Sequence, residues 1–515
     1  MNLQVISRSN YLLFSLTVTL LFFGWHGYFF NSGDQEEHLP QVYKMFDPVL
    51  YPHDYFMKSV DSTFSIRFYY KWTVYIFSQV MPVAWTCFFL NFVCIFLTSY
   101  CISRITAFFS NDLFSAFLAP FLLLVMFPDY ALGDNSFQDN ALICSTISVM
   151  LCTAALLQYF RRNYLFMALL TGIAAWFQVI ESILMIVIFV GLSKFDSRLS
   201  VKQIAGILLV WMLASAPMLI PMINIHLVKD SSRNSDLYYE ALYWIRNPNH
   251  YLPSFFDVTQ YIKFALLMVA AFAGMRFVDN HTKKFVMVLT ALVVFGMLAY
   301  YLLLENASLM IIGKTQWFKA SIWLTAVYSI VVAVACSKLI NHFLKSGLIK
   351  KYLTTACIVI IIILPVLIFN SGYIPIKRFQ NISLGNYIKS DQTLMHEWIR
   401  ANTPVDAVFL ISPDNFSFLC EAQRSLLIGY KAVIHEPYFM IPWAENFQRI
   451  YHFDHDTLTR QSTLAAAIKG FNNVWYQPLK NEKVDYRLDN LQTSKIDLAD
   501  KKIVHKQGDL VLTKF

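Results

Sequence analysis

Long apolar runs separated by short polar segments occupy most of the chain before residue 372. The first run, 11–30, is long enough to cross a bilayer as one helix, because about 20 apolar residues span the hydrocarbon core. Its bulky final residues do not suit signal-peptide cleavage, so we expect this helix to be retained. Further spans are predicted at 83–103, 113–127, 141–159, 204–224, 261–278, 286–304, 318–337 and 353–370.

The apolar stretch 164–193 is too long for one span, and basic residues flank both of its ends. Because Lys and Arg favour the cytoplasmic side, both ends are expected on that side. Two short helices joined near Gln178–Glu181 satisfy this condition. The prediction is about eleven transmembrane helices, with the N-terminus in the cytoplasm and the C-terminal part outside.

Charged residues are unevenly distributed: 42 of the first 372 residues are charged, against 32 of the last 143. Soluble proteins carry about a quarter charged residues, so we predict a transmembrane domain over 1–372 and a soluble domain over 373–515. The fold class is thus an α-helical polytopic membrane protein, which excludes a soluble enzyme, a secreted disulfide scaffold and a disordered regulator. The net charge of +8 is attributed to cytoplasmic loops, and no basic, aromatic-rich run predicts a nucleic-acid partner.

The last 143 residues show the alternation of a small α/β domain, predicted to be extracytoplasmic. A polar linker containing Pro375 and Gly385 leads into a helix expected over Asp391–Ala401. Strands are expected at 407–412, at 473–476 and in a terminal hairpin of 503–505 and 510–513.

The first external loop, 31–71, opens with a cluster of carboxylates beside an imidazole. If 34–38 begins a helix, then Asp34, Glu37 and His38 lie on one face, with Glu36 next to them. Mutual repulsion raises the pKa of at least one such carboxylate, which suits a general base. The alternative is a solvated acidic helix start in which Asp34 is the N-cap.

The loop 128–140 is acidic and carries carboxamides that can bind sugar hydroxyls. Asp134 and Gln138 are candidates for that role, and Asp134 with Asp139 could hold a divalent cation through oxygen ligands. The alternative is a simple polar connector. Cysteines suggest no metal or redox role, because seven of the eight lie in apolar segments and none forms a CxxC pair.

The loop 225–260 places Arg246, His250 and Tyr251 around a proline-initiated turn. Arginine suits a pair of phosphate oxygens, and aromatic faces suit sugar rings or the membrane interface.

The loop 305–317 carries Lys314 and Gln316, and Lys319 lies just inside the next span. A lysine at this depth either extends its ammonium to the membrane surface or neutralises a lipid phosphate.

These four loops together resemble those of the GT-C superfamily of membrane glycosyltransferases, which use polyprenyl-phosphate-linked sugars. Asp34 just after the first span resembles the acidic first-loop motif of the family, and 165–192 resembles its broken helix pair. The chain is more closely similar to a bacterial branch with a C-terminal extracytoplasmic domain. The segments that carry this similarity are Asp34–Pro40, Asp47–Asp54, Arg246–Pro253 and Thr403–Pro413. It departs from the family in having Gln35 where an Asp–Glu pair is common.

The resemblance implies an inverting transfer from a polyprenyl-phosphate-linked sugar to a glycan, lipid or protein acceptor, at the external face of a bacterial inner membrane. The implied catalytic residues are Asp34 as general base, with Glu36 and Glu37 beside it. The implied substrate-binding residues are His38, Asp134, Gln138, Arg246, His250, Tyr251, Lys314, Gln316 and Lys319.

Two other functions remain open from the sequence. One is a transporter or lipid-sugar flippase, and the other is a non-catalytic partner in polysaccharide assembly. Transporters tend to place ionisable groups near the bilayer midplane. Here the ionisable residues cluster in the external loops instead, which favours the enzyme.

Overall fold

A computed structural model describes residues 7–31, 33–229, 235–343, 346–369, 390–453 and 463–515. The predicted linker with Pro375 and Gly385 lies outside the described residues.

Helices make up the N-terminal part of the chain. Their bounds are α1 (Arg8–His26), α2 (Gln35–Phe46), α3 (Tyr55–Asp61), α4 (Phe68–Phe77), α5 (Val83–Phe109), α6 (Leu113–Phe121), α7 (Cys144–Phe160), α8 (Tyr164–Ala174), α9 (Val179–Phe195), α10 (Val201–Lys229), α11 (Ser235–Glu240), α12 (Pro248–Tyr251), α13 (Val258–Gly274), α14 (Asn280–Tyr301), α15 (Ser321–Phe343) and α16 (Ser346–Phe369). π-Helical turns at Leu122–Met126, Ala241–Arg246 and Leu302–Asn306 extend α6, α11 and α14. 3₁₀ turns lie at Pro253–Phe255, Met275–Phe277, Met310–Thr315 and Trp317–Ala320.

Several of these helices have the length and composition of membrane spans. Five segments qualify within the described residues: Val83–Phe109, Val201–Ile225, Val258–Phe277, Asn280–Asn306 and Met310–Asn341. Shorter apolar helices lie at Leu113–Met126, Cys144–Phe160, Tyr164–Ala174 and Lys351–Ile363. The chain is thus a helical membrane protein, and the count of eleven spans stays a prediction. The first apolar run ends its helix at His26, because Gly27 takes a positive φ of 75° there.

The long apolar stretch after Arg162 is two helices, as predicted. The chain turns at residues 175–178 between α8 and α9, so Glu181 lies in the first turn of α9 rather than in the connection. Gly172 lets α8 pack closely on α10, since a Cβ there would lie 2.5 Å from the Cβ of Ala214. The break between the two short helices is therefore held against α10.

The C-terminal part is a small domain built on one mixed sheet. Its strands are β1 (Val408–Ile411), β2 (Ser425–Leu426), β3 (Tyr486–Asn490), β4 (Lys502–Gln507) and β5 (Leu510–Lys514), in the order β2-β1-β3-β5-β4. Its helices are α17 (Asp391–Asn402), α18 (Phe418–Glu421), α19 (Pro437–Tyr451) and α20 (Thr463–Asn473). The pairs β1–β2 and β1–β3 are parallel, whereas β5 is antiparallel to both β3 and β4. The predicted helix at 391, the strand at 408 and the terminal hairpin are confirmed.

The strand predicted at 473–476 is wrong, and the sheet uses 486–490 in its place. Two buried charges hide that strand in the sequence, because Arg487 and Asp489 pair with each other at 2.9 Å inside the domain. Trp475 is packed against the same guanidinium, 5.2 Å from its ring centre. The apolar residues after α20 thus cover the arginine without joining the sheet.

The C-terminal domain sits directly on the loops that precede α3 and follow α11. The Tyr51 hydroxyl donates to the carbonyl of Leu419 at 2.7 Å, and the amide of Leu426 donates to Asp54 at 2.9 Å. Within α11, the Tyr238 hydroxyl donates to the carbonyl of His435 at 3.0 Å, and after α11 the carbonyl of Arg246 accepts from the Tyr430 hydroxyl at 3.0 Å. These contacts make the domain one wall of the space between the loops.

Helix α7 begins beside the space between the loops and ends at two basic residues. Cys144, at its start, lies 3.9 Å from His38, whereas Arg161 and Arg162 follow its last residue. A helix of 17 residues is about 25 Å long at about 1.5 Å per residue. We therefore expect Arg162 and the C-terminal domain to lie on opposite sides of the membrane.

Single cysteines in a cysteine-free variant test this arrangement. A cysteine at Lys483, on the C-terminal domain, and one at the exposed Asn249 should react with an impermeant maleimide from the same side. A cysteine at Arg162 should react only after the other side is made accessible. Labelling of all three positions from one side would overturn the topology.

Candidate functional site

Two adjoining cavities lie among the loops, and the C-terminal domain lines the larger of them. The larger, which we call the basic cavity, measures about 330 Å³, and the smaller, the acidic cavity, about 250 Å³. Nine predicted site residues line the basic cavity: Asp34, Glu37, His38, Arg246, His250, Tyr251, Lys314, Gln316 and Lys319. Asp34, His250 and Lys319 line both cavities, so the two spaces meet at these side chains.

The start of α2 is held by Gln35. Its side-chain oxygen accepts from the amide of Asn31 at 3.0 Å, and its amide donates to the carbonyl of Leu142 at 3.0 Å. Gln35 is fully buried, and the pair of contacts requires an amide, because a carboxylate could accept from Asn31 but could not donate to Leu142. Gln35 is thus a structural bridge that fixes the start of α2 next to Asp34.

Asp34 faces the cavity and forms an ion pair across the two domains. Its carboxylate lies 3.0 Å from the ammonium of Lys431, and 47% of its side chain is exposed. Burial opposes its ionisation, but the cations Lys431 and, more weakly, Arg67 outweigh that effect and hold the pKa of Asp34 well below its usual range. The carboxylate makes no capping bond to α2, so it is an ionised acceptor beside the cavity rather than a helix cap.

Arg67 organises the next two side chains of α2. Its guanidinium lies 2.7 Å from a carboxylate oxygen of Glu37, and its Nε–H donates to Nε2 of His38 at 2.7 Å. Burial first, and then Arg67, keeps the pKa of His38 well below its usual value. The imidazole is therefore neutral, with its proton on Nδ1.

Arg246 lines the basic cavity and also supports Lys431. One guanidinium nitrogen donates to Asn247 at 2.8 Å, and the other donates to the backbone carbonyl of Lys431 at 2.9 Å. Its guanidinium stacks over the Tyr430 ring at 4.8 Å. Its Nε–H is buried and unpartnered within the described part of the chain, so a donor remains for an anion.

His250 lies at the junction of the cavities and is a neutral acceptor. Its Nδ1 lies 2.9 Å from the carbonyl of Gly133, so Nδ1 must carry the proton. Burial, with Lys319 nearby, lowers the pKa of His250. The other nitrogen, Nε2, is left to accept a hydrogen bond from a substrate hydroxyl.

Tyr251 stacks on Tyr243, with ring centres 4.5 Å apart, and forms a wall of the basic cavity. Lys314 lies on the same wall with its ammonium 4.9 Å above the Tyr238 ring, and Gln316 takes a left-handed φ of 45° between two 3₁₀ turns. This short helical hairpin presents Lys314, Gln316 and Lys319 to one space.

Carboxylates dominate the acidic cavity. Asp34, Asp134, Asp139 and Glu181 line it, and Lys319 is the lysine among its lining residues. Burial raises the pKa of Asp139 to about 7, so it carries a proton for part of the time at neutral pH. One oxygen of Glu181 accepts from the Trp323 indole at 2.7 Å, and the other has no partner among the residues described.

The predicted cation at Asp134 and Asp139 does not fit this arrangement well. Both residues line the acidic cavity, but Asp134 is bonded to the side-chain amide of Gln260. Over the described ranges, no three His, Cys, Asp or Glu side chains come together as metal ligands. We therefore derive no step through a metal ion.

Two predicted site residues lie outside both cavities. The side chain of Gln138 is buried and donates to the Thr98 hydroxyl of α5 at 3.0 Å, so it ties its loop to the bundle. Glu36 points from α2 towards the C-terminal domain, where it lines a small space with Lys431. Adjacent residues on a helix point about 100° apart, so Glu37 faces the basic cavity and Glu36 does not.

Some ionisable residues that line the two cavities were not site candidates in the sequence analysis. They include Arg67, Glu181, Lys431, His435 and Glu436. Glu181 could have been recognised as a site candidate from the sequence, because it is a carboxylate within an apolar stretch. Lys431 and His435 could not, because charged and polar residues are common in a domain of ordinary composition.

A comparison with known protein families matches the part of the chain that contains Lys431 and His435. The profile of DUF6798, a domain of unknown function, matches residues 391–450. That segment runs from α17 through most of α19 and includes Lys431 and His435. No curated protein matches the chain. The chain is thus a helical membrane protein with a small C-terminal sheet domain, and the matched segment supplies residues to the basic cavity.

Glu36 makes the stability of the protein depend on pH. Burial raises its pKa to about 8 from a usual value of 4.5, so ionisation opposes folding, and stability is lost as the pH rises through that interval. Glu36→Gln should abolish this loss and raise Tm by about 2 °C or more at about pH 9. Thermal unfolding in detergent at about pH 5 and pH 9 measures it. The exposed Glu445→Gln is the matched control; a Glu36→Gln protein with the wild-type pH slope would exclude this origin.

Proposed function

We propose that the protein is a membrane glycosyltransferase of the GT-C type. It transfers a sugar from a polyprenyl-phosphate-linked donor to a glycan, lipid or protein acceptor at the external face of a bacterial inner membrane. One observation carries the proposal: a cavity rich in cations adjoins a cavity rich in carboxylates, and Asp34 lies at their junction. The cations suit the donor phosphate, and the carboxylates suit the acceptor hydroxyl. Asp34, between them, is placed to act as the base.

The basic cavity suits the lipid phosphate and the first part of its chain. Its cationic side chains are Arg67, Arg246, Lys314, Lys319 and Lys431. Apolar side chains continue the same surface towards α9 and α10: Phe177, Val179, Ile180, Met218 and Met222. Most of α10 faces outwards from the bundle, with 17% of its apolar window buried. A prenyl chain can therefore leave the cavity along α10 and enter the bilayer.

The chemistry follows from this placement. Asp34 accepts the proton of the acceptor hydroxyl, and the acceptor oxygen bonds to the anomeric carbon from the face opposite the phosphate. The bond from that carbon to the phosphate oxygen breaks, and its electron pair stays on the phosphate. Arg246 and Lys319 stabilise the growing charge, so the departing phosphate needs no general acid. His250 accepts from a sugar or acceptor hydroxyl at the junction.

Turnover of radiolabelled polyprenyl-phosphate sugars by the purified protein separates this proposal from its alternatives. An enzyme releases polyprenyl phosphate and labels an acceptor. A transporter or flippase moves the lipid across proteoliposomes without cleaving it. A non-catalytic assembly partner does neither, and that outcome would refute the enzyme.

Asp34→Asn should abolish transfer with little change in Tm. Loss of a general base costs about 10² to 10⁴ in rate, whereas an ion pair open to a solvated cavity contributes at most about 1 kcal/mol to stability. Initial rates and thermal unfolding measure the two effects. Asp61→Asn is the matched control, because Asp61 pairs with Lys44 on the outer surface of the same loop. Wild-type rates in the Asp34→Asn protein would remove Asp34 from the reaction.

Arg246→Lys should impair turnover although it keeps the charge. The guanidinium holds Asn247 and the carbonyl of Lys431 while offering a further N–H, a geometry that an ammonium cannot reproduce. Loss of a charge-assisted contact is worth about 1.5–3 kcal/mol, which is about ten- to a hundredfold. Steady-state kinetics should assign it mainly to kcat, because charge on the leaving oxygen grows in the transition state. Arg449→Lys should leave both constants unchanged, because Arg449 pairs with Glu482 and lines neither cavity. Kinetic constants within about twofold of wild type for Arg246→Ala would make Arg246 a purely structural residue.

A further inference from the structure

The ion pair between Asp34 and Lys431 unites two groups that the proposed function needs apart. The carboxylate must receive a proton from the acceptor, and the basic cavity must neutralise a phosphate. At 3.0 Å the two charges satisfy each other. A carboxylate held ionised by a paired cation is a weak base, because a catalytic base works best with a pKa near the operating pH.

The backbone of Lys431 is fixed by a hydrogen bond from Arg246, whereas its side chain is held by the exchangeable ion pair with Asp34. Arg246 donates to its carbonyl at 2.9 Å, and the Tyr430 hydroxyl next to it donates to the carbonyl of Arg246 at 3.0 Å. The ammonium itself is bonded to Asp34 and lines the basic cavity, with 26% of the side chain exposed. The flexible four-carbon side chain lets that ammonium reach another anion in the same cavity without movement of the domain.

We propose that Lys431 is a shared counter-ion that exchanges partners during the reaction. It pairs with Asp34 in the empty site and turns to the donor phosphate when the lipid binds. The inference rests on the proposed function and names a residue of the C-terminal domain as a ligand of the leaving group. After the exchange, Asp34 takes the acceptor proton, the phosphate leaves with its electron pair, and Lys431 neutralises that charge.

Other charged groups around Asp34 do not substitute for this contact. Arg67 lowers the pKa of Asp34 less than Lys431 does, and it is engaged with Glu37 and the neutral His38. The remaining charged or titratable groups that face the site are Glu36, Glu37, Asp134, Asp139, Cys144, Glu181, Tyr238, Arg246, His250, Tyr251, Lys314, Lys319, His435 and Glu436. Among the described residues, Lys431 alone forms an ion pair with Asp34. Its departure therefore changes the basicity of Asp34 more than the loss of any of these neighbours.

Binding of undecaprenyl phosphate to the protein in nanodiscs tests the exchange without any turnover. Lys431→Met should weaken binding about tenfold or more, as expected for the loss of a charge-assisted contact. Asp34→Asn should instead tighten binding severalfold, because the phosphate no longer competes with Asp34 for the ammonium. Lys483→Met, which removes a surface lysine paired with Asp406 in the same domain, should change nothing. Wild-type affinity in Lys431→Met, or unchanged or weaker binding in Asp34→Asn, would overturn the proposal.

The pH dependence of turnover gives a second test that a merely structural role would not affect. The acid limb of kcat/KM reports Asp34 in the free protein, and that of kcat reports Asp34 with donor bound. With the exchange, the limb of kcat/KM lies at lower pH than the limb of kcat, and in Lys431→Met the two limbs approach each other. Coincident limbs in the wild type would reject the exchange. If no polyprenyl-phosphate sugar is turned over, the proposed function is rejected. The binding experiment still tests the exchange of Lys431 independently of that result.

Discussion

Charges that leave water at the edge of an apolar bundle need partners, and this requirement shapes the region where the C-terminal domain meets the helices. Arg67 lies between Glu37 and His38, and Asp34 reaches Lys431 in the other domain. Each contact joins segments that are distant in the chain. The walls of the basic cavity are therefore held together by these charged pairs.

The sequence predicted the architecture well where polarity changes sharply. Apolar runs marked the helices, and the polar loops between them supplied Asp34, Arg246 and Lys319, which the structure brings into one space. Such residues stand out because the apolar helices on either side of these loops carry few charges. The broken helix pair was predictable for the same reason, since its basic flanks must share a side.

Other parts depend on packing that no local pattern encodes. Lys431 belongs to the C-terminal domain, where lysines are common, so the sequence does not mark it as a site residue. Its contact with Asp34 follows only from the docking of that domain. The third strand escaped prediction because Arg487 and Asp489 are buried as a pair in it. Gln138 looked like a sugar ligand because it lies in a polar loop, yet its amide turns inwards to Thr98.

The wall formed by Lys431 and His435 has a consequence for how the protein is made. Lys431 is synthesised about 400 residues after Asp34, roughly 20–80 s later at ordinary rates of elongation. Until the C-terminal domain has folded and docked, the basic cavity lacks one wall and Asp34 lacks its cation. A chain truncated before the sheet domain would therefore keep its apolar helices but lack a complete basic cavity.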